Sequence, residues 1–152
     1  MPEILDEGHL DAWRALLNAH SEVIDLIERD LAREHRVPLR FYDVLTSLAK
    51  APGGRLRLSE LADAVVLSRS GLSRLVDRLE EIGLIAREIS NEDRRGAFAI
   101  LTRKGKQALH HAWPVYGKGI QKYFARHLSA KEASILNRLL RRVSQNHPVN
   151  RR

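Results

Sequence analysis

The sequence predicts a mainly α-helical fold with a small β wing, and three observations carry the prediction. Two short helical patterns follow one another across a tight turn between Leu58 and Gly83. Two β-like runs come directly after them, and an arginine-tipped polar hairpin joins those runs. In this order the elements describe a winged helix-turn-helix.

Taken from the N-terminus, Leu10, Trp13, Leu16, Leu17, His20, Val23, Ile24, Ile27 and Leu31 keep a 3.6-residue spacing, which predicts a helix over roughly Gly8 to Arg33. Pro38, whose fixed φ suits a first turn, opens a second helix from Leu39 to about Lys50, and Pro52-Gly53-Gly54 ends it. Leu56 and Leu58 fit a short additional strand. Ser59 is the expected N-cap of SELADAVV, with Glu60 and Asp63 near the positive end of the helix dipole. Leu61, Ala62, Val65 and Val66 then fall on one face. A turn through Leu67 and Ser68 leads into SRSGLSRLVDRLEEIG, where Leu72, Leu75, Val76, Leu79 and Ile82 form the buried stripe and Gly83 permits a left-handed stop.

Leu84 to Ile89 alternates as a strand does, and Phe98 to Leu101 reads as its return partner. Two residues such as Asn-Gly would suffice to close them. The chain instead spends Ser90 to Gly96 on the connection and places Arg94 and Arg95 in it. Thr102 is a plausible N-cap for a helix reaching about Arg126, with a kink expected at Pro114. Ser129 to Glu132 is a capping box for a last helix that carries Ile135, Leu136, Leu139, Leu140 and Val143 on one side.

A chain of 152 residues buries about 68–70% of its unfolded surface, so residues 1–152 can form one domain without a disulfide or metal. Cysteine is absent, which excludes thiol oxidation sensing and thiolate metal binding. With no 18-residue apolar run and no signal-peptide pattern, membrane insertion is not expected and a cytoplasmic address is. The net charge of +7 is uneven: residues 1–40 carry 5 Lys/Arg against 9 Asp/Glu, residues 41–105 carry 11 against 9, and residues 106–152 carry 10 against 1. The basic C-terminal third either draws phosphate over a broad surface or lies against the acidic N-terminal helix.

Opposite the buried stripe of the second short helix stand Arg69, Ser70, Ser73 and Arg74, compact hydroxyls and guanidinium forks near its N-terminal end. Those residue types suit base edges and phosphates, and for Arg74 base readout and a phosphate clamp are both open. Arg78 reads instead as a solvated residue or a partner of Asp77. SELADAVVLSRSGLSRLVDRLEEIGLIARE, then DRRG at Asp93 to Gly96, then ILTRKG at Ile100 to Gly105, resembles the DNA-binding lobe of MarR-type transcriptional regulators. The resemblance implies a DNA-binding lobe over 36–105 and dimerisation helices over 1–35 and 106–152. It also implies that Asp93 pairs with one of Arg94 and Arg95 to stiffen the wing, leaving the other arginine near the minor groove, where negative potential is concentrated. The chain departs from the common pattern at Glu92, where many members carry another basic residue and an acid repels phosphate.

Tyr116, Ile120, Tyr123, Phe124 and Leu128 add to an apolar stripe on the terminal helices that exceeds what the small lobe covers, which predicts a homodimer. Two-fold symmetry then predicts double-stranded DNA bearing an inverted repeat as partner, with half-sites about 34 Å apart or a multiple of it. The resemblance further implies a small aromatic or anionic effector between the lobe and the terminal helices. Candidate contacts are Trp13, Arg14 and His20, Phe41, Tyr42 and Leu45, and Trp113 and Tyr116, with Trp13 and His20 seven apart on one face. The expected outcome is a repressor relieved by that effector; a regulator without an effector and a helical protein-interaction module are the alternatives. No catalytic motif, cofactor loop or DxDxDG cation loop is present. Adjacent His110 and His111 face different sides of a helix, so no metal site is expected unless His35 approaches from another loop.

Overall fold

Asp6, two residues before the expected start, opens the first helix in the computed structural model, which describes residues 5–89 and 96–145. Its carboxylate accepts the His9 backbone N–H at 3.1 Å, and that bond holds the carboxyl below its ordinary value while α1 runs Glu7–Arg33. α2 covers Leu39–Lys50; the Glu28 side chain of α1 accepts the N–H of Leu39 at 2.9 Å, while Pro38 has none to satisfy. A single 3₁₀ turn at Pro52–Gly54 then delivers the chain into β1, Arg55–Arg57.

β1 pairs antiparallel with β3, Ala97–Leu101, and β3 pairs with β2, Ile85–Ile89, so the sheet order is β1-β3-β2. The side-chain period of two sends Ile85, Ala99 and Leu101 into the core. On the other face Arg55 and Arg57 stack over the Phe98 ring at 4.2 and 4.9 Å. The expected extra strand exists, but Leu58 already belongs to the next helix.

That helix, α3, spans Leu58–Ala64, and Ser59 does not cap it. Arg57, extended at the end of β1, occupies the capping position, and the Glu60 carboxylate accepts its backbone N–H at 2.8 Å. Because the strand runs straight into the helix, the boundary falls two residues earlier than a side-chain cap suggests. α3 also stops sooner: Val65 is extended and buried, whereas Ala62 and Val66 are exposed, so the four residues do not share one buried face.

α4 covers Leu72–Glu81 and follows Gly71 at φ 69°, a left-handed conformation that glycine adopts without the Cβ penalty. Arg69 and Ser70 therefore lie on the turn that precedes the helix rather than on it. Leu75, Val76 and Leu79 are buried. At its far end Gly83, φ 79°, lets the Leu84 N–H reach the Leu79 carbonyl at 2.9 Å. α5 spans Arg103–Tyr123, capped as expected by the Thr102 hydroxyl, which accepts the Gly105 N–H at 3.0 Å. It continues through the exposed Pro114 as one element and gives way to a 3₁₀ turn at Ala125–His127. α6, Ala130–Gln145, starts at the expected capping box: Glu132 accepts the Ser129 N–H at 2.8 Å and the Ser129 hydroxyl accepts the Glu132 N–H at 3.3 Å.

Two apolar clusters hold this arrangement. Val44, Leu45, Leu48, Leu61, Val65, Val76, Leu79 and Ile85 join α2, α3, α4 and the sheet, while Ile27, Leu31, Leu39 and Ala112 join α1, α2 and α5. Close approach at two glycines is part of the design: a Cβ on Gly105 would lie 2.2 Å from the Leu84 carbonyl oxygen, and one on Gly119 would lie 2.8 Å from Ile27 Cγ1.

Candidate nucleic-acid interface

The turn that feeds α4 is fixed from α2. Asp43 Oδ2 accepts the backbone N–H groups of Val66, Leu67 and Ser68 at 3.0, 2.6 and 3.0 Å, and Oδ1 lies 3.2 Å from the Val66 nitrogen. Ser68 is fully buried, and its hydroxyl donates to the Arg40 carbonyl at 2.8 Å. The Arg40 guanidinium in turn donates to the Ser70 carbonyl. The sequence carries no local sign of these ties, because Asp43 is an acid in an apolar helix 23 to 25 residues from its partners.

Beyond the turn the chain presents its polar face. Arg69 is exposed, and among the described residues only its Nε is engaged, donating to the Val65 carbonyl at 3.2 Å. Ser73 and Arg74 are exposed in the first turn of α4 and have no side-chain partner among the described residues. Arg69, Ser73 and Arg74 line a surface concavity of about 530 Å³ together with Gly71 and Asp77. Ser70 is exposed but does not line it. Arg78 is paired with Glu81 at 2.7 Å, and Asp77 takes Arg87 of β2 at 2.6 Å, with Glu80 at 3.6 Å from the same guanidinium. Arg87 partly offsets Asp77 and Glu80, and the cations Arg69, on the preceding turn, and Arg74, in the first turn of α4, stand apart from these pairs. The wing residues Asp93, Arg94 and Arg95 lie outside the described residues.

Residues 39–96 match the MarR family. Over 129 residues the chain is 30% identical to the transcriptional regulator HosA of Escherichia coli O127:H6 (strain E2348/69 / EPEC), across 82% of this chain and 93% of that one. It is 32% identical over 142 residues to the HTH-type transcriptional regulator MhqR of Bacillus subtilis (strain 168), across 93% and 95%. The chain belongs to the MarR family. Sco3205, a MarR family transcriptional regulator from Streptomyces coelicolor solved in complex with DNA, shares the fold with a TM-score of 0.88 and 31% identity, covering 99% of this chain and 94% of that one. This MarR-family chain is thus a DNA-binding transcriptional regulator, and its relatives are regulators rather than enzymes. No helix among the described residues is long and apolar enough to cross a membrane.

A second concavity, about 710 Å³, opens between α1, α2, α5 and the turn that follows α3. His20 and Ile24 of α1, Tyr42 and Asp43 of α2, and Trp113 and Tyr116 of α5 line it, with Lys50, Val66 and Leu67. Tyr116 meets Tyr42 edge-on at 5.0 Å and Trp113 at 6.1 Å. Burial, then the nearby Tyr42 and Asp43, pushes the Tyr116 phenol above its ordinary value. Trp13 and Arg14 do not line this space: Trp13 is 55% exposed, and Arg14 lies 3.6 Å from Asp11 on the outer side of α1. Seven residues along a helix fall about 20° short of two turns, and residues 11–22 of α1 are exposed along their whole length. Phe41 and Leu45 pack into the core instead. No cluster of metal-ligating side chains occurs among the described residues.

Proposed function

We propose that this regulator is a homodimeric repressor that binds an inverted-repeat operator and is released by a small aromatic effector. The observation that carries the proposal is the pair of faces left uncovered: Arg69, Ser73 and Arg74 on one side, and an apolar surface on the terminal helices on the other. Leu16 and Leu17 of α1 and Leu139, Leu140 and Val143 of α6 are exposed, and every residue of α6 except the half-buried Leu136 faces outward. Apolar area of that extent is buried isologously when two copies pair through their terminal helices. Pairing sets two copies of α4 and its preceding turn side by side, each offering Arg69, Ser70, Ser73 and Arg74 to a major groove, with Asp93 bracing Arg94 or Arg95 at the adjacent minor groove.

The aromatic cavity supports the effector. Its volume is that of a small-molecule site, and its wall joins the dimerising helices to the turn before α4, so its occupant can favour one separation of the two heads over another. Lys50, not Arg14, is the cation available to an anionic substituent there.

Footprinting of the intergenic DNA flanking the gene tests the DNA-binding half, and titration of phenols and aromatic acids against the protected duplex tests the effector half. The expected result is a protected inverted repeat, release by at least one such compound, and a rise in Tm with its concentration. An unprotected flank overturns the operator reading; a duplex that no compound releases reduces the protein to an effector-independent regulator.

A further inference from the structure

In the segment between α3 and α4, the backbone N–H groups of Val66, Leu67 and Ser68 are all tied to one face of α2. We infer that Asp43 is a positioning residue of the DNA-reading head, fixing the register of Arg69, Ser73 and Arg74 through the turn. Three successive backbone N–H groups converging on one carboxylate form a nest whose partial positive charge is matched by a full negative one. The second tie, Ser68 to the Arg40 carbonyl, and the third, Arg40 to the Ser70 carbonyl, bracket Arg69 on both sides. Arg40 and Asp43 are three apart on α2, so both ties share one helix face. α2 is itself anchored by the buried Val44, Leu45 and Leu48.

Solvent alone would not keep this turn in place. Val66 is 76% exposed, so its N–H could bond to water, yet it is directed at Asp43. Base-edge hydrogen bonds span only a few tenths of an ångström in distance, so a shift of about 1 Å in the turn takes Arg69 out of register at once and Ser73 and Arg74 through Gly71. Phosphate attraction tolerates the same shift. Asp43, Val66 and Leu67 also form part of the cavity wall, so a molecule seated there meets the clamp at both its acceptor and donor ends.

The inference rests on the DNA reading proposed above, and its test separates the two. Amide hydrogen exchange on the full-length protein is expected to show slow exchange at Val66, Leu67 and Ser68. In Asp43→Asn these amides speed up tenfold or more while those of Leu75 to Leu79 do not, and operator affinity falls on the order of tenfold, the range for losing hydrogen bonds to a charged acceptor. Affinity for random duplex stays level or rises, because the substitution removes a negative charge; a fall confined to the operator therefore reports register and not electrostatics. Should Asp43→Asn unfold, Ser68→Ala removes the second tie and is expected to weaken operator binding with the same selectivity. Rapid exchange at 66–68 in the wild type, or operator binding unchanged in a folded Asp43→Asn protein, overturns the inference. A wild type that protects no operator instead refutes the DNA reading, and exchange at 66–68 still judges the clamp.

Discussion

Arg74 stands exposed in the first turn of α4 with no side-chain partner among the described residues, so its guanidinium is open to a ligand. Replacing it by alanine is expected to cost roughly 1–3 kcal/mol of operator discrimination if it reads a base. If it clamps phosphate, the salt slope of binding falls by about one instead. Fluorescence anisotropy at several salt concentrations distinguishes the two. Gly105→Ala acts on stability: its Cβ would collide with the Leu84 carbonyl, and backbone cannot swing aside as a side-chain end can. A loss of at least about 1–3 kcal/mol in urea unfolding is expected, with DNA contacts untouched. At this scale residue type was legible and placement less so. Arginines and serines at 69–74 are readable as an exposed polar run, but whether Arg69 and Ser70 stand on α4 depends on Gly71 taking a left-handed conformation. Asp43 gave no local signal, since its partners come from a segment folded against it.

Elements were more legible, because hydrophobic period and capping chemistry are local. α2, α5 and α6 begin where Pro38, Thr102 and the Ser129 box place them. α3 did not follow its apparent cap, because β1 enters it without a loop and Glu60 performs the capping from inside the first turn. The α6 box makes a pH prediction. The Ser129 backbone N–H, then its hydroxyl, lowers the Glu132 carboxyl from its ordinary 4.5. A depressed carboxyl contributes stability that is present above the unfolded value and lost as pH falls through the folded one. The start of α6 is therefore expected to loosen in acid below about pH 4.5, seen as faster amide exchange at Ser129, whose N–H the carboxylate accepts, and Glu132→Gln should remove that dependence.

At the scale of the whole molecule, the exposed leucines of α1 and α6 cover no core of their own chain, which is the ground for expecting a second copy. Introducing charge at Leu139→Asp and Leu140→Asp is expected to yield a folded monomer in sedimentation analysis, with operator affinity falling because the second half-site contact is lost. The sequence made this surplus of apolar surface readable through the spacing of Leu16, Leu17, Leu139 and Leu140. It could not show that residues 11–22 of α1 stay exposed, so helical spacing alone puts Trp13 and Arg14 with a cavity they do not line.

The central claim, that the turn and first turn of α4 read duplex DNA in pairs, is tested most directly by sedimenting a fluorescent operator duplex with increasing protein. Two chains per duplex are expected for the wild type, and no complex for an Arg69→Ala, Arg74→Ala double variant whose Tm and dimer mass are unchanged. A wild type that leaves the duplex free at low salt, or a double variant that binds it as the wild type does, would contradict it.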